Sequence, residues 1–183
     1  MLYADTSVVL SFYRSEVNSA AVEAIFLCQA GQIGLSPLVR VEIASAIARW
    51  SRMREITEPQ AQQIESALQT DIEAGRYRLL SLPAGVFDQA CRWLSSRDTR
   101  SRALDALHLA SAVQQQCCLL TADQQLATAA NTFSVDCRTL DELVCSVGLH
   151  RSDAKPRGLK VTLPGEAKLM SETIIEDREG SRP

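Results

Sequence analysis

Four carboxylates in this sequence stand where a merely solvated side chain is not expected. Asp5 closes the apolar run Met1–Ala4, and Asp123 comes two residues after Thr121, at the end of the apolar run Cys117–Thr121. Glu42 lies within Leu38-Val39-Arg40-Val41-Glu42-Ile43-Ala44, and Asp105 within Ala103-Leu104-Asp105-Ala106-Leu107-His108-Leu109-Ala110. An ionised carboxylate beside buried groups is costly unless it is paired or bound to a metal ion. Each acid alone also has an ordinary use. Asp5 and Asp123 suit helix capping, and Glu42 and Asp105 suit pairing with Arg40, Arg49 or Arg102. The set of four, in this order, is what carries specificity. Thr6, Ser7 and Thr121 add hydroxyls next to the acids, for a phosphate, a water or the carboxylates themselves, with capping as the alternative.

The elements that must position these groups alternate along the chain. Strand-like runs are expected at Met1–Ala4, Ile33–Leu35, Arg78–Leu82, Cys117–Thr121 and Ser134–Cys137. Helical patterns are expected at Val17–Ala30, from Pro37 to about Arg54, from Glu58 to about Gly75, at Pro83–Ser95, Ser101–Gln115, Ala122–Ala130 and Leu140–Val147. In the Pro37 helix the apolar face is read as Val41, Ile43, Ala44, Ile47 and Ala48. Such alternation predicts a three-layer α/β/α sandwich about a central parallel sheet, because parallel strands need crossover connections. Ligands bind such sheets outside the carboxyl ends of the strands, which is where Asp5 and Asp123 fall. His108, three residues after Asp105 and so on the same helical side, reads as a packed, hydrogen-bonded histidine, with approach to the acids as the alternative. Arg97, Arg100 and Arg102 read as solvated loop arginines, with contact to a phosphate backbone as theirs.

Composition narrows the class. The chain has 183 residues, 46% hydrophobic and 22% charged, as in a globular protein with one core. No apolar run approaches the roughly 20 residues that span a bilayer, so a cytoplasmic protein without membrane contact is expected. The six cysteines form no CxxC pair and read as buried, reduced thiols. A net charge of −3 argues against a broad basic nucleic-acid face and leaves room for a local arginine cluster. A haloacid-dehalogenase-like site would need a second acid where Ser7 stands. A dinucleotide-binding turn would need glycines that Asp5-Thr6-Ser7-Val8 lacks.

The strings Leu2-Tyr3-Ala4-Asp5-Thr6-Ser7, Ser36-Pro37-Leu38-Val39-Arg40-Val41-Glu42, Ala103-Leu104-Asp105-Ala106-Leu107-His108-Leu109-Ala110 and Leu119-Leu120-Thr121-Ala122-Asp123-Gln124-Gln125-Leu126 resemble the four signature segments of VapC-type PIN domains, in chain order. The resemblance implies a metal-dependent endoribonuclease, the toxin of a type II toxin–antitoxin pair, with Asp5, Glu42, Asp105 and Asp123 as its catalytic acids. Asp5 and Asp105 are expected on the metal, Mg2+ or Mn2+, with Glu42 and Asp123 completing the site. It further implies an RNA substrate, a VapB-like antitoxin and a homodimer. The rival reading is a PIN-fold interaction module, catalytically silent or blocked in cis, that binds an antitoxin.

The chain changes character near His150. Residues 1–150 hold 12 arginines and no lysine, whereas Lys155, Lys160 and Lys168 lie in the last 33 residues, which lack aromatics and cysteine. We therefore read 1–150 as the nuclease-like domain and 151–183 as a C-terminal arm, too poor in large apolar groups to bury a core alone. The segment 158–179 resembles the toxin-binding end of antitoxins. It suggests a docked arm that folds back, or exchanges between subunits, and sets Lys168 or Arg178 beside the acids; the alternative is a disordered extension with no role.

Overall fold

A computed structural model describes residues 1–14, 19–29, 32–97 and 101–146. In chain order its elements are β1 (Leu2–Ala4), α1 (Thr6–Tyr13), α2 (Ser19–Cys28), β2 (Ile33–Leu35), α3 (Pro37–Arg52), α4 (Glu58–Glu73) and β3 (Tyr77–Leu79). Then come α5 (Ala84–Ser96), α6 (Ala103–Gln114), β4 (Cys118–Thr121), α7 (Gln124–Thr132), β5 (Cys137–Thr139) and α8 (Leu140–Ser146). The sheet runs β3-β2-β1-β4-β5 with every pairing parallel, and helices cover it as the expected α/β/α sandwich.

β1 is the central strand, and its buried Tyr3 and Ala4 explain why so short a run holds its place. Ala4 pairs with Leu120, and the Asp5 amide continues the ladder to the Leu120 carbonyl at 3.0 Å. The chain then turns at once into α1, whose cap at Asp5 was one reading of the sequence but whose span was not among the expected helices. Asp5 is its N-cap, accepting from the Val8 amide. Almost every residue of α1 is buried, because it packs against α2, α3, α4 and β4. A helix buried all round has no polar stripe, so periodicity does not reveal it.

Other boundaries shift for local reasons. Ser134 has φ 55°, the left-handed region, and the Val135 amide closes onto Ala130, so the expected strand at Ser134–Cys137 instead pairs over Cys137–Thr139. The face of α3 is also rotated from the one expected. Val39, Ile43, Ala46, Ile47 and Trp50 are buried, whereas Ala44 and Ala48 are exposed and Val41 is 68% exposed. Val41 and Ala44 line a groove of about 440 Å³ between α3 and α4, with Glu65, Leu68 and Ile72 opposite. None of the four acids forms its walls.

The main core joins both faces of the sheet through Tyr3, Leu10, Phe26, Ile33, Trp50 and Leu120. Over Trp50 lies the buried guanidinium of Arg14, 4.4 Å from the ring centre and paired with Glu55 at 3.2 Å. Val86, Ala90, Ala106 and Ala110 form a smaller cluster where α5 lies along α6. Cys117 is buried as expected, but Cys91 is exposed and Cys118 and Cys137 are half-buried; all four are free thiols. Among the described residues no helix is long and apolar enough to cross a membrane. Residues 151–183, with Lys168 and Arg178, lie outside the described residues, as does Arg100.

Candidate active site

The parallel sheet brings the ends of β1 and β4 side by side, and the acids gather around that edge. Asp5 is 4% exposed. Its Oδ1 accepts from the Ser7 hydroxyl at 2.7 Å and from the Val8 amide at 3.1 Å, and its Oδ2 accepts from the Thr121 hydroxyl at 2.7 Å. Burial holds the Asp5 carboxyl above the usual carboxylate range; the charge of His108 and these hydrogen bonds oppose it without cancelling it. Ser7 and Thr121 each work twice. Ser7 Oγ accepts from the Ala122 amide at 3.0 Å, and Thr121 Oγ1 accepts from the Asp123 amide at 2.9 Å. The three hydroxyls named from sequence thus fasten β1 to β4 and α1 to α3.

Glu42 reaches the site from α3 because that helix starts at the end of β2. Ser36 caps it, accepting from the Val39 amide, and Pro37 occupies its first position, where no amide is needed. Two residues converge on Glu42 Oε2: the Thr6 hydroxyl donates to it, and His108 Nε2 lies 2.8 Å away. His108 projects from α6, one turn beyond Asp105. Its Nδ1 meets the Tyr3 hydroxyl at 2.8 Å, and that hydroxyl meets Ser36 Oγ at 2.9 Å. The sequence reading of a packed, hydrogen-bonded histidine holds, but its partner is one of the four acids. Burial alone would lower the pKa of His108; the hydrogen bond and charge of Glu42, with the charges of Asp5 and Asp105, outweigh burial and raise it.

Asp105 sits in the first turn of α6, and its Oδ2 accepts from the Arg102 amide at 2.8 Å. Asp123 is the N-cap of α7, with Oδ1 accepting from Gln125 at 2.7 Å and Leu126 at 3.3 Å. The structure thus bonds Glu42 to the His108 imidazole, whose pKa the charges of Asp5 and Asp105 also help to raise. It joins Asp123 to Asp5 through Thr121, with the Asp123 carboxylate turned to its own helix. Of the loop arginines, Arg97 is exposed and bonds the Ser95 carbonyl.

The donor set is hard carboxylate oxygen, suited to a divalent cation that keeps most of its waters and takes one or two protein carboxylates. Asp5 fits that role, being a desolvated acid whose charge a cation would stabilise. Among the described residues no group of three or more His, Cys, Asp or Glu side chains is placed to hold a metal ion, so a cation here would rest on one or two carboxylates and its own waters.

Comparison with known proteins agrees with this architecture. Among curated proteins none matches the chain. Among solved structures, FitAcB from Neisseria gonorrhoeae is similar at 19% identity and a TM-score of 0.61, over 76% of this chain and 98% of that one. PAE2754 from Pyrobaculum aerophilum is similar at 14% identity and 0.56, over 81% of this chain and 97% of that one. VapC20 from Mycobacterium tuberculosis, a sarcin–ricin-loop-cleaving toxin, is similar at 16% identity and 0.52, over 70% and 95%. These likenesses concern the fold. The PIN domain model matches residues 2–131, a stretch that begins in β1, ends in α7 and contains all four acids, so the chain belongs to the PIN domain family, whose members are generally nucleases using divalent metal ions.

Proposed function

We propose that this chain is a divalent-metal-dependent endoribonuclease of the VapC type, the toxin half of a type II toxin–antitoxin pair. The observation that carries the reading is the linked pair at the carboxyl edge of the sheet: Asp5 accepts from Thr121 at the end of β4, and its neighbour Thr6 donates to Glu42 of α3, which is also bonded to the buried His108 of α6. Asp5 and Glu42, from distant parts of the chain, are thus linked through neighbouring residues where ligands bind in parallel sheets. A bound Mg2+ or Mn2+ would supply Lewis acidity toward the phosphodiester and a more acidic water.

In this reading Asp5 and Asp105 hold the cation, Glu42 completes the site beside them, and Asp123 orders the β4 end through Thr121. Thr6, Ser7 and Thr121 fix carboxylate orientation. Burial keeps bulk water from Asp5, which strengthens its attraction for a cation. The RNA substrate, a VapB-like antitoxin and a homodimer belong to the same proposal. The solved complex of VapBC2 from Rickettsia felis with a fragment of promoter DNA, similar in fold, fits a paired protein of this kind.

The test is cleavage of a mixed RNA pool by the full chain, with magnesium or with chelator, beside Asp5→Asn. Cleavage that needs both metal and Asp5 supports the nuclease. Metal-independent cleavage that Asp5→Asn retains would refute it.

One observation favours a second reading, a binding module with a silent or blocked site: the Asp123 carboxylate is committed to capping α7. A chain ending at His150 separates blocked from silent. In our proposal the arm 151–183 suppresses the site through Lys168 or Arg178, so truncation raises Asp5-dependent cleavage.

A further inference from the structure

We infer that His108, held by Tyr3, is a positioning residue that fixes the carboxylate of Glu42 toward the cation-binding edge. The inference rests on the nuclease reading of that edge. The contacts form a closed circuit. Ser36 caps α3, its Oγ meets the Tyr3 hydroxyl at 2.9 Å, that hydroxyl meets His108 Nδ1 at 2.8 Å, and His108 Nε2 returns to α3 at Glu42 Oε2, 2.8 Å away. The circuit therefore ties the start of α3, and the acid one and a half turns along it, to β1 and α6 together. The Tyr3 and His108 side chains lie in the interior, while the Glu42 side chain is 19% accessible. The anchor is buried and the anchored group reaches the edge, the order expected when a partner behind a ligand sets its direction.

The arrangement works in either protonation state of the imidazole. A neutral ring with its proton on Nε2 donates to Glu42 and accepts from Tyr3 at Nδ1. A cationic ring donates at both nitrogens, and the Tyr3 hydroxyl turns to donate to Ser36. In both cases Nε2 donates to Glu42, alongside the Thr6 hydroxyl on the same oxygen. A mispointed Glu42 would leave the buried imidazole without its hydrogen-bonded acid. A histidine kept only for packing would not need an ionisable partner from another helix.

Two readouts on the full chain test this. The sequence has two histidines, His108 and His150, so long-range nitrogen–proton spectra with His108→Gln as the assignment control show which His108 nitrogen carries a proton. A proton on Nε2, and a shift of the Nδ1 resonance in Tyr3→Phe, are expected. An Nε2 without a proton in the wild-type protein overturns the inference. The second readout is calorimetric Mn2+ affinity: His108→Ala is expected to weaken it about tenfold or more, and His108→Gln, which keeps a donor near the Nε2 position, to recover most of that loss. A folded His108→Ala protein with wild-type Mn2+ affinity overturns the inference alone. A wild-type protein that takes no Mn2+ overturns the nuclease reading and the inference with it.

Discussion

The Thr121 hydroxyl donates to Asp5 Oδ2 at 2.7 Å, joining residues 116 positions apart and fastening the ends of β1 and β4 to each other. Thr121 Oγ1 in turn accepts from the Asp123 amide, so one buried side chain contacts the residues that follow both strands. Thr121→Val keeps the shape and removes both contacts. Hydrogen bonds to charged groups contribute about 1.5–3 kcal/mol each, so a loss of roughly that size is expected, read as a lower urea midpoint at unchanged slope. An unchanged midpoint would show that Asp5 does not depend on this donor.

Asp123 tests the difference between cap and site. Asp123→Asn preserves an oxygen for the Gln125 and Leu126 amides and should alter stability by only a few tenths of a kcal/mol, whereas Asp123→Ala should cost about 1 kcal/mol. Both should lower RNA cleavage at saturating Mg2+ if the negative charge serves the site. Full cleavage by Asp123→Asn would leave this residue with capping alone.

The metal-free protein should become less stable as pH rises. Asp5 and His108 both have folded pKa values above their ordinary values of 3.8 and 6.5, so the native chain binds more protons than the unfolded one. Stability then falls with rising pH. For Asp5 the contribution is complete below 3.8 and is lost as pH climbs through its raised folded value; for His108 it is complete below 6.5 and is lost likewise. In chelator, the midpoint of thermal unfolding should drop from about pH 6 to about pH 9, and Mn2+ should flatten the slope by taking the place of protons. A midpoint that climbs over that range would contradict the raised value of His108; Asp5 is tested by the same scan starting below pH 3.8.

Gly34 in β2 sits where no side chain fits. A Cβ there would meet Leu80 Cδ1 at 2.7 Å and Cγ at 3.2 Å, with the Leu2 carbonyl oxygen at 3.4 Å. Leu80 is itself buried, so its room to move is small. Gly34→Ala should therefore destabilise by about 1–3 kcal/mol, measured by urea unfolding. A neutral result would mean that the space beside β2 is looser than the structure shows.

The places of the acids in the fold were legible in sequence, because Asp5 and Asp123 follow strand-like runs and Glu42 and Asp105 lie on apolar helical patterns, and those signals are local. The relation of Glu42 to His108 was not legible, since 66 positions separate them and only the fold makes them neighbours. Asp123 was named for the site, yet its carboxylate faces α7; capping and catalysis favour the same residue type, so sequence alone does not divide them. Helix α1 was missed because Val8, Val9 and Leu10 are all buried and show no polar face. Val41, Ala44 and Ala48 misplaced the face of α3 for the opposite reason, being apolar but exposed.

The strand order has a consequence in time. β1 lies at the centre of the sheet but is made first, and its neighbour β4 begins only at Cys118. A chain leaving the ribosome N-terminus first cannot close Asp5 against Thr121 until more than a hundred further residues have been added. At about 5–20 residues per second, that delay is on the order of ten seconds. Contacts of such sequence separation also form slowly. The candidate site is thus assembled in an order that leaves Asp5 without its β4 partner until late in synthesis.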